Sequence, residues 1–487
     1  MADRRPNILW ICTDQQRFDT IGALGNEHVS TPNIDALVRS GTAFTHAYCQ
    51  SPICTPSRTS FLTGTYASTV HINGNGLESF PDHPPLVTKI MADAGYSVGN
   101  VGKLHLTSAY QRIETRADDG YEYFKYSHAP RDDWPVGHDY ADWVREKGHV
   151  LKDLTSDVNG VPTELHQTTW AFTRAAEFIR ERKDREWMLT VNVYDPHPPF
   201  NPPKTYRDQF DPEKMPGPHF QESDLKQQKV LEPVDFQSKG RTPDNLDINH
   251  PILAKSLKPG EPEPAGSSPG ERDARTLQAA YYAMIKQIDD RLGELMATLD
   301  ELGLRENTIV IFTSDHGEML GDHGLIQKGC RFYEGLVRVP LIWSWPGHIK
   351  EGLVSDALVE LTDKAPTILD YAGIPIPENM FGKSLRPILE GKADPHHHRD
   401  YVRCEFYDAL GLGEHSLATM YRDRQYKLVN YHQHEFGELY DLEKDPWEFD
   451  NLWDDPAHMA TRAAMTKASF DASIRIIDRG PRRIGPM

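Results

Sequence analysis

The chain has 487 residues, 38% hydrophobic and 26% charged, an ordinary globular composition that argues against long-range disorder. Its formal net charge of -19 argues against nucleic acid or an anionic membrane as a general partner, and any anionic substrate must be held by a local basic cluster. The cysteines at 12, 49, 54, 330 and 404 are odd in number and scattered, so they suggest neither a disulfide framework nor a CxxC zinc site.

In chain order, NILWICTDQQ opens with an apolar run from Ile8 to Cys12. That run is too short for a signal peptide or a membrane span, so a soluble, cytoplasmic protein is expected. It reads as a buried parallel strand with Asp14 at its C-terminal end. STPNIDALVRSG predicts a helix with Thr31 as N-cap, Pro32 at the first position and Gly41 beyond the end. In SPICTPSRTSFLTG, Pro56 suits a first helical turn and Gly64 a helix end. Cys54 is then expected just before a helix N-terminus, where backbone N–H groups and the dipole favour an anion, with Arg58 nearby.

LVTKIMADAGY reads as an amphipathic helix leading into SVGNVGKLHL, a strand that ends in Lys103 and His105. TTWAFTRAAEFIRER is a helix before WMLTVNVYDPHPPF, a strand ending at Asp195 and His197. A long helix, LQAAYYAMIKQIDDRLGELMATLDELGL, precedes NTIVIFTSDHGE, which ends at Asp315 and His316. The β-α-β-α order predicts an α/β fold with its ligand edge at the strand C-termini. Several strand ends carry Asp, Lys or His to one edge, which favours a single site over isolated solvated side chains.

Residues 203–275 are rich in Pro, Lys, Glu and Gly, as in SLKPGEPEPAGSSPGE. The stretch is too long for a structureless internal loop without a role and reads as a surface excursion, a lid or contact arm. From about residue 395 the texture changes, and MYRDRQYKLVNY and GELYDLEKDPWEFDNL read as antiparallel strands and a turn. The expected division is a catalytic domain at 1–394 and a smaller α+β subdomain at 395–487. GSSPG at 266–270 fits Gly-x-Ser-x-Gly but lacks the strand and helix that a nucleophile elbow needs. PHHHR at 395–399 reads as a solvated linker. Asp322 and His323 are either support for the site or simple loop residues.

Taken in order, PNILWICTDQQ, CTPSRTSFLTG, GKLHL, TSDHGEMLGDHG with Lys328 close behind, and LYDLEKDPWEFDNL resemble the sulfatase family. A lone Cys-x-Pro-x-Arg would be weak; the ordered set runs nearly end to end. The resemblance implies an alkaline-phosphatase-like fold, a large mixed sheet between helices plus a small C-terminal α+β subdomain. It implies that Cys54 is oxidised to formylglycine by a formylglycine-generating enzyme that reads Pro56 and Arg58. In the family the aldehyde hydrates, one hydroxyl attacks sulfur, and the other then expels sulfate from the hemiacetal.

The resemblance carries a metal site to Asp14, Gln15, Cys54, Asp315 and His316, with one Ca2+ per subunit and Mn2+ or Mg2+ as alternatives. Gln15 stands where many members have Asp, and His316 where many have Asn. Lys103 would stabilise sulfate charge, His105 would take the diol proton, and His197 with Lys328 would serve the leaving group. Arg58 supplies a fixed cation. The Asp-Gln opening, the Asp-His pair and PHPPF also resemble phosphonate monoester or phosphodiester hydrolases, which typically lack the Lys-x-His pair kept here. Sulfate esters are therefore the first reading, and a non-catalytic anion binder with an unmodified Cys54 is the reading from another class. The expected partner is an aryl, alkyl or oligosaccharide sulfate, with no nucleic acid and no membrane, on a homo-oligomer. The leaving-group pocket falls to loops that include parts of 106–165 and 203–275.

Overall fold

The computed structural model describes residues 5–477 except 83, 111, 131–136, 158, 236–237, 247–272 and 412–414. GSSPG and the rest of SLKPGEPEPAGSSPGE therefore lie outside the described residues. The central sheet is built from β1 (Asn7–Thr13), β2 (Thr42–Tyr48), β3 (Ser97–Gly102), β4 (Tyr123–Tyr126), β5 (Trp187–Val193), β6 (Thr308–Ser314), β7 (Arg338–Ser344), β8 (Leu353–Ser355) and β9 (Val359–Glu360). Its order is β4-β3-β5-β1-β6-β7-β2-β8, with β9 also on β2. The strands from β4 to β6 are parallel, whereas β7 runs antiparallel to both β6 and β2. This mixed sheet between helices is the expected fold class.

Alternation along the strands splits the interior into two layers. Ile8, Trp10 and Cys12 of β1 and Ile309 and Ile311 of β6 face one core, with Phe61, Met91 and Ile368. Leu9, Ile11, Val310 and Phe312 face the other, with Ile34, Phe178 and Leu292. The second core is covered by the helices Pro32–Arg39, Gln167–Arg182 and Ala274–Glu301. Thr31 does occupy the N-cap position, but its side chain makes no cap bond. Its hydroxyl accepts from the Gly22 N–H and donates to Asp35 instead.

A second sheet, β10 (Val402–Tyr407), β11 (Leu417–Arg422), β12 (Tyr426–Tyr431) and β13 (Gly437–Asp441), is an antiparallel meander. One face joins the main core through Cys404, Met420 and Val429. The other carries Leu428 and Leu439 against Met465 and Ala472 of the Met459–Arg475 helix. Lys427, fully buried, ties the two sheets: its Nζ lies 2.7 Å from both Glu334 and Glu448. The described part of the excursion also packs inward, with Leu231 and Val234 in the main core and Asp235 paired with Arg331. At 395–399, His396 and His397 are exposed, but Arg399 turns in to pair with Glu360 and Asp363. No helix among the described residues is long and apolar enough to cross a membrane.

Lys364 is an outlier in the core. Its ammonium lies 4.3 Å from the Trp10 ring centre and 3.8 Å from that of Phe61. Its Nζ has no hydrogen-bond partner among the described residues. Burial, partly opposed by Cys12 and Asp315, pushes it down to about 7. The unfolded chain therefore binds more protons than the folded one between pH 7 and the usual lysine value of 10.5, and stability rises with pH across that window. Lys364→Met is expected to stabilise the fold at pH 7, by up to about 4 kcal/mol if the whole lowering of the lysine is a burial cost. The gain should shrink as pH rises toward 10, read by denaturant unfolding at each pH. A variant less stable than wild type at pH 7 would mean that the cation–π contacts outweigh the burial cost.

Candidate active site

The C-terminal ends of the parallel strands converge. β1 delivers Asp14 and Gln15, β3 delivers Lys103 and His105, β5 delivers His197 through the Tyr194–Pro199 turn, and β6 delivers Asp315 and His316. Gly102 makes the exit from β3 possible. Its φ is +97°, and a Cβ there would sit 2.0 Å from the Asn192 carbonyl oxygen, so only glycine fits so close to the neighbouring strand.

The Cys54–Thr63 helix runs behind this edge with every residue buried. It starts at Cys54 itself, one position earlier than expected, with the extended Ile53 as N-cap. Pro56 still falls in the first turn. Three of its buried hydroxyls find carbonyls: Ser57 donates to Asp315 (2.5 Å), Ser60 to Pro56 (2.9 Å) and Thr63 to Thr59 (2.7 Å).

Asp14, Gln15, Cys54, Arg58, Lys103, His105, His197, Asp315, His316 and Lys328 meet here, whereas Asp195 accepts from the Thr168 hydroxyl. Cys54 Sγ lies 2.8 Å from Lys328 Nζ, 3.2 Å from His316 Nε2, 3.7 Å from Lys103 Nζ and 3.8 Å from Asp14 Oδ1. Burial would raise this thiol, but Lys103, Lys328 and His316 outweigh it and hold it well below the usual range. Arg58 donates through Nε to Asp315 (2.9 Å) and through a terminal nitrogen to the Lys103 carbonyl (2.9 Å) and Asn192 (3.2 Å). Lys103 pairs directly with Asp14. Asp14 is kept below the usual carboxylate range, since Lys103, His197 and Arg58 overcome burial and Cys54.

The histidines are oriented by groups that can only accept. His316 sends Nδ1–H to the Gly317 carbonyl (2.8 Å), so its Nε2 lone pair faces the cluster. His197 likewise sends Nδ1–H to the Pro198 carbonyl (2.7 Å), leaving Nε2 3.2 Å from Lys328 Nζ. Burial and Lys328 lower His197. His105 is pushed down to about 4 by burial and Lys103. It sits at φ +57°, held by Glu114, whose carboxylate accepts the N–H groups of His105 (2.7 Å), Leu106 (2.9 Å) and Thr107 (3.3 Å). Burial pushes Glu114 up to about 7 against those three bonds.

Three residues here escaped the sequence reading: Glu114, Glu318 and His128, whose ring meets His105 edge-on at 4.4 Å. Glu318 stands inside TSDHGEMLGDHG but was given no role there, and no motif marks Glu114, which acts on backbone N–H groups, or His128. Asp322 and His323 stand outside the cluster. Asp322 pairs with Arg17 (2.8 Å) and His323 with Asp224 (2.8 Å).

The donor set suits a cation. Asp14, Cys54, Asp315 and His316 offer ligand atoms all within 4.8 Å of one another. Gln15 Oε1, Cys54 Sγ and His316 Nε2 also converge on the Lys328 ammonium at 3.0, 2.8 and 3.2 Å. Lone pairs aimed at one positive charge are what a divalent ion would meet, and carboxylate, amide and imidazole donors fit Ca2+, Mg2+ or Mn2+.

The comparisons agree with this architecture. The Sulfatase family model matches residues 6–374, and the N-sulphoglucosamine sulphohydrolase C-terminal model matches 321–473. The chain is 32% identical over 474 residues to an arylsulfatase of Clostridium perfringens (strain 13 / Type A), covering 92% of this chain and 90% of that protein. It is 30% identical over 511 residues to the multifunctional alkaline phosphatase superfamily protein PehA of Trinickia caryophylli, covering 94% and 93%. Among solved structures, the phosphonate monoester hydrolase of Agrobacterium radiobacter superposes with a TM-score of 0.80 at 26% identity, covering 97% of this chain and 96% of that one.

Fold and site together define a hydrolase of the alkaline phosphatase superfamily. Within it, the chain belongs to the sulfatase family, and it is an enzyme, a sulfatase.

Proposed function

We propose that this enzyme cleaves sulfate monoesters with Cys54 matured to formylglycine, whose hydrate supplies one hydroxyl to attack sulfur and a second to release sulfate. The observation that carries this reading is the setting of residue 54. It stands at a helix start, with Lys328 and Lys103 within 2.8 and 3.7 Å of its Sγ and the cation-binding donors Asp14, Asp315 and His316 clustered about it. A divalent ion, Ca2+ with Mn2+ or Mg2+ as alternatives, would be held by Asp14, Gln15, Asp315, His316 and residue 54 and would supply Lewis-acid chemistry.

The chain's own groups do the rest. Arg58 and Lys103 hold positive charge where sulfate oxygens gather. His105, neutral at ordinary pH because burial and Lys103 push it down to about 4, is ready to accept a proton from residue 54. His197 and Lys328 face the side from which the alcohol departs. The Asp-Gln and Asp-His pairs also fit a phosphonate monoester hydrolase, as does the structural likeness to one. The Lys103 and His105 pair in the site favours sulfate. An aryl, alkyl or oligosaccharide sulfate as substrate, a formylglycine-generating enzyme during maturation, a homo-oligomeric state, a cytoplasmic location and a domain boundary near 395 complete the proposal.

The test has two parts. Mass spectrometry of the residue-54 peptide from the native host, with hydrazide capture, should find an aldehyde. Across a panel of matched sulfate and phosphonate esters, kcat/KM should be highest for a sulfate. An unmodified thiol in fully active protein, or a clear phosphonate preference, would overturn the proposal.

A further inference from the structure

Gln15 is an amide with a donor end and an acceptor end, and only the acceptor end can bind a cation. Two contacts fix its orientation. The Lys328 ammonium, which can only donate, lies 3.0 Å from Oε1. The Glu318 carboxylate, which can only accept, receives the Nε2–H through Oε2. The backbone at Gln15 is held too: its N–H donates to Asp315 (3.0 Å), and its carbonyl accepts from the Tyr281 hydroxyl (2.6 Å).

Glu318 is fully buried and has no ion pair among the described residues. Its second oxygen, Oε1, accepts the N–H of Leu320 (3.0 Å) and that of Gln327. These bonds close the base of a loop in which Leu320, Gly321, His323, Gly324 and Gln327 all have positive φ. Lys328 follows Gln327 directly. One carboxylate therefore connects the orientation of a cation donor to the placement of the lysine that faces it.

We propose that Glu318 is a positioning residue that sets the polarity of the cation site: Oε2 turns the Gln15 amide so that its oxygen faces the cluster, while Oε1 holds the loop that delivers Lys328. This rests on reading the cluster as a cation site. A buried carboxylate with no counter-cation is retained because only an all-acceptor group can serve Gln15, Leu320 and Gln327 together. An amide at 318 could keep its oxygen on the two loop N–H groups only by turning its NH2 toward Gln15. Gln15 would then have to flip and present its own NH2 to the site.

The experiment measures Mn2+ binding to the full chain without substrate, by calorimetry and by the EPR signal of free Mn2+. Glu318→Gln should weaken Mn2+ binding by roughly 10- to 100-fold, the usual effect of losing a group that orients a ligand. The exchanged pair Gln15→Glu/Glu318→Gln should restore it, because the amide at 318 can donate to the carboxylate at 15 while still accepting from the loop. Unchanged binding in Glu318→Gln would overturn the proposal and leave the cation site standing. Loss that the exchanged pair does not restore would overturn it as well, reducing Glu318 to a loop anchor. A wild-type chain that binds no Mn2+ would sink the cation-site reading and the proposal with it.

Discussion

Cys54→Ser is expected to give a folded protein that completes at most one turnover per site. The fold should tolerate the change, since a hydroxyl is close in size to a thiol and residue 54 already sits in a polar cluster with Lys328 at 2.8 Å and Lys103 at 3.7 Å. The cation donors Asp14, Asp315 and His316 are untouched. A serine has a single hydroxyl. Once sulfated, it has no neighbouring hydroxyl on the same carbon with which to expel sulfate, so the ester should persist. Multiple turnover should fall on the order of a thousandfold or more, as when a nucleophile is removed. With sulfate ester in excess, a quench experiment should show product rising to one equivalent and stopping, and the residue-54 peptide should carry sulfate. Sustained turnover near the wild-type rate would show that the two-hydroxyl chemistry is not used.

Why so much of this site was legible follows from how α/β sheets are built. A short apolar run with a charged residue just beyond it marks both a buried strand and its functional end, and Asp14 after NILWICT and Asp315 after TIVIFTS carry that signature. The parallel direction of β1, β3, β5 and β6 was legible, but the antiparallel β7 and the sheet's far half were not. β2 and β7 were missed: β2 is half-exposed at Thr45 and His46, and β7 contains Pro340, which argues against a sheet interior. The helix start at Cys54 was misplaced by one residue because Ile53 carries no capping side chain, so the N-cap signal that usually marks a start is missing. The roles of Glu114 and of Glu318, which stands inside TSDHGEMLGDHG, were not readable for another reason. Their partners include the backbone N–H groups of residues 105–107, 320 and 327, and no pattern of residue types encodes a bond to a backbone that has yet to fold. Gln15 was found as a departure from the family pattern, but which end of its amide faces the cation depends on Glu318, far along the chain.

His197→Ala should separate substrates by their leaving groups. The His197 Nδ1–H is committed to the Pro198 carbonyl at 2.7 Å, and the ring packs on Tyr194 with centres 4.7 Å apart. Its Nε2 therefore carries the lone pair, 3.2 Å from Lys328 Nζ, and can take a proton from that ammonium and pass it to the departing oxygen. An alkyl or sugar alkoxide needs its developing charge neutralised as the S–O bond breaks, whereas a nitrophenolate barely does. General acid help is typically worth roughly two to four orders of magnitude, and that loss should fall mainly on the poor leaving groups. A plot of log kcat/KM against leaving-group pKa should thus be steeper for the variant than for wild type. His105→Ala acts after the alcohol has gone, so it should lower kcat with little dependence on the leaving group once sulfate release limits turnover. Parallel slopes for wild type and His197→Ala would place the acid elsewhere, and the ammonium of Lys328, on the far side of the same contact, would then be the group to replace.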